Sequence, residues 1–131
     1  MEPEGVVNAL RKIHEALLPG TVVIDTQPVS TLPPVESDAG LLGPLDKRGW
    51  TRTIHAIDRR VEHAIRDGLF ELVDTTYFGV VDEYDDGQEL VDVTRGWRGT
   101  VVNGAFARRM ARERRPVRLE QAVRLRVLRA R

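Results

Sequence analysis

Apolar positions recur along the chain with two different periods, and the changes of period divide it into seven elements. Over residues 4–18, Val6, Leu10, Ile13 and Leu17 fall at steps of three and four, the stripe of an amphipathic helix, and Pro19-Gly20 stops it. Thr21 to Thr26 is a β-branched run, which predicts a strand covered on both faces. A second helix is predicted over 51–67, capped by Thr51, with Ile54, Ile57, Val61, Ala64 and Ile65 as its buried stripe and Gly68 just past its end. Residues 69–82 read as a long strand turned by Asp85-Asp86-Gly87, and a short helix follows over 88–95. Asn103 caps another helix, which Pro116 ends after Arg115. The last segment, 117–128, alternates: Val117, Leu119, Val123, Leu125 and Val127 take the buried face, and Arg118, Glu120, Arg124 and Arg126 the other.

Between the first strand and the second helix, residues 28–50 carry Pro28, Pro33, Pro34, Gly40, Gly43, Pro44 and Gly49 and read as one long Pro/Gly-rich loop. The order is therefore α-β-α-β-α-α-β. It predicts a single α/β domain over 1–131: a small three-stranded mixed sheet packed with helices, with its last strand antiparallel.

Composition narrows the classes. Of the 131 residues, 41% are hydrophobic and 31% charged, which is ordinary globular usage. There is no Cys, so disulfides, thiol nucleophiles and Cys-ligated metal sites are excluded. No apolar run approaches the roughly 20 residues that span a bilayer, and Met1-Glu2-Pro3-Glu4 lacks the basic-then-apolar pattern of a signal peptide. Cytoplasmic residence with no membrane partner is the resulting expectation. The formal net charge is zero but unevenly spread. Glu71 to Asp92 holds eight acids and no Lys or Arg, whereas Arg95 to Arg131 holds twelve Arg and two acids. Mutual neutralisation of the two stretches is expected over nucleic-acid binding, because the overall balance is neutral.

The stretch Asn8-Ala9-Leu10-Arg11-Lys12-Ile13-His14-Glu15-Ala16-Leu17-Leu18-Pro19-Gly20-Thr21-Val22-Val23-Ile24-Asp25 resembles class I S-adenosylmethionine-dependent methyltransferases, in which a helix ending in Leu-x-Pro-Gly leads into the fifth strand. The resemblance implies half of a Rossmann-like fold. Residues 51–67 stand for the next helix, 69–82 for the sixth strand, 86–115 for an insertion and 117–128 for the antiparallel seventh strand. The family binds its cofactor with a Gly-rich turn and an acid in its N-terminal half, and this chain holds no Gly-x-Gly-x-Gly. Gly40-Leu-Leu-Gly43 and Gly96-Trp-Arg-Gly99 do not sit between a strand and a helix. The fold carries over and the activity does not. No cofactor is expected, S-adenosylmethionine entering only if a partner chain completes the site. The family pattern would put a surviving substrate surface around Asp25 and Gln27.

Asp25 and Gln27 also lie at the carboxyl end of the first strand, where open α/β sheets bind ligands. Trp50 and Trp97 flank glycine and arginine and suit a pocket wall or an interface, although packing at the core edge is the commoner role. His55 and His63 stand eight apart on one helix, not the four that would let both grip a metal, and no metal site is expected. Asp58 and Glu62 are near enough to His55 to hydrogen-bond it, and His55 and Trp50 join Asp25 and Gln27 as the candidates for substrate binding. Asp82-Glu83-Tyr84-Asp85-Asp86-Gly87 fails the calcium-loop pattern at Tyr84 and Val93. Arg108, Arg109, Arg112 and Arg115 are the candidates for nucleic-acid contact. No catalytic residue is assigned. Three readings follow: a non-catalytic methyltransferase-like interaction domain, self-associating as a homodimer through a sheet edge or holding another protein; one part of a split or rewired methyltransferase that needs a partner chain; and nucleic-acid binding through the arginines.

Overall fold

The computed structural model describes residues 3–131, with side chains from residue 9 onward. In chain order the elements are α1 (Pro3–Ala16), β1 (Val22–Pro28), β2 (Pro34–Ser37), β3 (Gly40–Pro44), α2 (Arg48–Arg66), β4 (Phe70–Tyr84), α3 (Gly87–Thr94), α4 (Gly104–Ala111) and β5 (Val117–Ala130). Strand pairing runs β1-β5-β2-β3, and β4 also pairs with β5. The chain forms two compact units, one of Met1–Pro28, Arg52–Phe78 and Val123–Arg131, the other of Val29–Thr51 and Gly79–Ala122.

In the first unit β1 lies antiparallel to the end of β5, from Val22 opposite Arg129 to Pro28 opposite Val123. Leu10 of α1 and Ile57, Val61 and Ala64 of α2 bury themselves with Phe70, Leu128 and Ala130, and Val23 and Leu69 pack against this cluster. Spacings of three and four between those α2 residues bring them onto one stripe, which is why the helix covers the sheet with that side. Gly68, at φ +79°, closes α2: its N–H donates to the Ile65 carbonyl and that of Leu69 to the Ala64 carbonyl. Only a residue without a Cβ takes this conformation freely. The other sheet face is bare, with Val22 47% and Ile24 62% exposed.

In the second unit β2 and β3 form an antiparallel hairpin across Asp38-Ala39, and β2 pairs with the start of β5, Val35 opposite Leu119 and Ser37 opposite Val117. Asp86 caps α3 by accepting from the Glu89 N–H, while the Glu89 carboxylate accepts from the Asp85 N–H, so two orphan donors are satisfied reciprocally. Asn103 caps α4 in the same way through the Phe106 N–H. Val35, Leu45, Leu90, Val91, Phe106, Met110, Val117 and Leu119 form the core of this unit.

The α/β class and the antiparallel last strand hold, but five strands are present among the described residues where three were expected, and β1 with β5, β2 with β3 and β2 with β5 all pair antiparallel. Residues 28–50 are not one loop. They contain β2, β3 and the start of α2. Their prolines and glycines sit where a short hairpin tolerates them: Pro34 and Pro44 at strand ends, and Gly40 after the turn at φ +115°. The last strand is also turned over in part. Arg124 and Arg126 are buried, at 8% and 7% exposure, while Leu125 and Val127 are only half-buried. α4 stops at Ala111 and not at Arg115. Of the α1 stripe, Leu10 is buried and Ile13 exposed, and the Val6 side chain lies outside the described residues. No helix among the described residues is long and apolar enough to cross a membrane.

Candidate functional site

Burying two arginines side by side on β5 is tenable only if anions meet them, since an unpaired buried charge is strongly unfavourable. In the first unit they are met by Asp25 of β1 and Asp58 of α2. Arg124 donates from Nη1 and Nη2 to the two carboxylate oxygens of Asp58, both at 2.8 Å, a bidentate fork. Arg126 donates from Nε and Nη2 to Oδ2 of Asp25, at 3.1 and 2.8 Å. The two forks are cross-linked, with Arg126 Nη2 3.3 Å from Asp58 and Arg124 Nη2 4.0 Å from Asp25. Gln27 completes the group by donating to Oδ1 of Asp25 at 3.1 Å. Hydrogen bonding to Asp58 raises the pKa of Arg124 above its already high value, against the opposing effect of burial, and both Asp58 and Asp25 add to the rise by their charge. Arg124 Nε is buried without a partner.

The network is electrically balanced, two acids against two guanidiniums. Asp25 and Gln27, the two residues singled out at the end of β1, do come together, but they face each other and Arg126. His55 is exposed on α2 and has no hydrogen bond to Asp58, whose carboxylate is held by the arginines. Trp50 belongs to the second unit, where its N–H donates to the Gly99 carbonyl. No family model, curated protein or solved structure matches the chain. The site therefore has to be judged on its chemistry alone. That chemistry is an ion-pair lock in which each acid meets a guanidinium and, among the described residues, Arg124 Nε alone of the buried guanidinium nitrogens is left without a partner.

A second buried charge lies in the other unit. Lys47 is 4% exposed, donates from Nζ to Gln121 Oε1 at 2.6 Å and stands over the Trp97 ring at 5.4 Å. Burial lowers its pKa, and the charge of Asp82 partly offsets that. Trp97 thus serves as the wall behind a lysine. Glu113, in the same unit, accepts from the Arg115 N–H and guanidinium and from the Ser37 hydroxyl, which holds its carboxyl down to about 2.

Among the arginines singled out for nucleic acid, Arg109 donates to the Leu42 carbonyl and Arg115 to Glu113, while Arg108 and Arg112 stand exposed on and just after α4. The expected neutralisation of the basic stretch by the acidic one is represented by Glu71 with Arg129 at 4.0 Å. Elsewhere Arg118 turns to Glu36 and Asp38, and Arg124 and Arg126 to Asp58 and Asp25.

Sequence reasoning missed Arg124, Arg126, Asp58 as their partner, and Lys47. The signal available was weak. Arg124 and Arg126 break no alternation, and only an Asp on the inner stripe of α2, one residue from Ile57, hints that a cation lies beneath that helix.

Proposed function

We propose that the chain is a non-catalytic methyltransferase-like domain that works by association and not by turnover. The observation that carries this reading is the engagement of Asp25. One of its oxygens accepts from Gln27 and the other from Arg126, so the acid and amide at the carboxyl end of β1 are spent on the protein's own lock. Both side chains are thus turned to the protein's own groups. The Leu-x-Pro-Gly turn leading into β1, and a terminal strand antiparallel to β1, support the methyltransferase-like half-fold. We place such a domain in the cytoplasm.

Calorimetric titration of the purified chain with S-adenosylmethionine and S-adenosylhomocysteine tests the reading. No saturable heat is expected. Saturable binding, by the chain alone or with a partner chain added, overturns it in favour of the split or rewired enzyme.

A further inference from the structure

We propose that two copies of this chain join strand to strand, β1 against β1, antiparallel about a two-fold axis at Ile24. The inference rests on the association reading above and supplies its partner. Among the described residues β1 stands at one end of the strand order and pairs with β5 alone. The direction of its backbone groups follows from two bonds: the Thr21 carbonyl accepts from the Ala130 N–H, and the Val29 N–H donates to the Ala122 carbonyl. Alternation then turns Val23, Asp25 and Gln27 toward β5, and points the N–H and C=O groups of Val22, Ile24 and Thr26 outward along the free edge. The side chains of these three residues are exposed as well.

The register follows from the same backbone. With Ile24 opposite its own copy, Val22 faces Thr26 of the second chain and Thr26 faces Val22, and each of these residues offers both a donor and an acceptor. A shift of two residues one way brings in Pro28, which has no N–H. A shift the other way brings in Gly20, whose N–H is already given to the Ala130 carbonyl. Charge selects this edge over the one on β4. In the first unit β4 carries two acids, Glu71 and Asp74, and no base, so pairing that edge with its copy gathers like charge along the seam, which disfavours it. β1 carries one charge, Asp25, and Arg126 neutralises it from within. Symmetric pairing of an identical edge is also the commonest closed assembly.

The native chain has no Cys, so engineered thiols report the register directly. A hydrogen-bonded antiparallel pair has Cα atoms about 5.5 Å apart, inside the span of a disulfide, roughly 4.4–6.8 Å. Sedimentation equilibrium of the unaltered chain is expected to show a concentration-dependent dimer, and Ile24→Lys to shift it to monomer. Under mild oxidation Ile24→Cys is expected to link with itself. Val22→Cys alone is expected not to, but to link when mixed with Thr26→Cys. All of these positions are exposed, so the fold is retained. A monomer at every concentration up to about millimolar, or a dimer that links through Thr75→Cys on β4 in place of Ile24→Cys, overturns the proposal. Cofactor binding by a dimer overturns the earlier reading and leaves this interface standing. A monomer that binds no cofactor does the reverse.

Discussion

At the scale of single residues, the sharpest consequences come from the buried charges. Asp58→Ala removes the carboxylate whose two oxygens accept from the Arg124 fork, and leaves a cation buried beneath α2. Breaking one side of such a pair costs about 3–5 kcal/mol, so the urea unfolding midpoint should fall sharply. The joint replacement Asp58→Leu with Arg124→Met should recover most of the loss, because neither charge is then stranded. Glu113 makes a prediction in pH. Its folded pKa, about 2, lies below its ordinary 4.5, so its contribution to stability is complete above 4.5 and drains away as pH falls from there toward 2. Urea melts of Glu113→Gln taken from pH 5 to pH 2 should lack that component of the slope. Lys47 acts in the same sense at higher pH. Its native pKa is lowered by burial, so stability gains as pH rises from that lowered value toward 10.5, and Lys47→Met should remove the gain. None of these pairings was legible from the sequence. The partners of Arg124 and Arg126 lie 66 and 101 positions away along the chain, and nothing local marks them.

At the scale of elements, the sequence was informative wherever a long periodic stretch met a cap. The C-terminal end of α2 and the starts of α3 and α4 follow from Gly68, Asp86 and Asn103, whose local bonds need no tertiary context, whereas Thr51, expected to cap α2, lies inside a helix that begins at Arg48. β2 and β3 were hidden because a four-residue and a five-residue strand offer too little alternation to outweigh the prolines and glycines around them. What holds them is pairing to β5, which is a long-range fact. The helices of the second unit make a direct prediction. A Cβ on Gly87 would collide with the Met110 carbonyl oxygen, so α3 and α4 approach this closely only because residue 87 is glycine. Gly87→Ala should cost about 1–3 kcal/mol by forcing them apart. Its effect should appear as a lower melting temperature with faster amide exchange at Leu90 and Met110.

At the scale of the molecule, the even balance of charge matters most. With 20 basic and 20 acidic residues and an isoelectric point near 6.8, long-range repulsion between copies is weakest near neutral pH, where a bare apolar sheet face is also on display. Light scattering should therefore find solubility lowest around pH 7 and rising on either side, and Ile24→Lys should lift the minimum. The α/β class was legible at this scale because it depends only on the order of elements. The count of strands and the division into two units were not, since both depend on which residues meet across distance. The lock of Asp25, Asp58, Arg124 and Arg126 also constrains how the chain can change over generations. Each member, altered singly, strands a charge that the others no longer cancel, so every one-step path out of the quartet descends through an unstable protein. Drift at these four positions is therefore expected to be concerted: a lineage should keep all four, or trade them together for an apolar set.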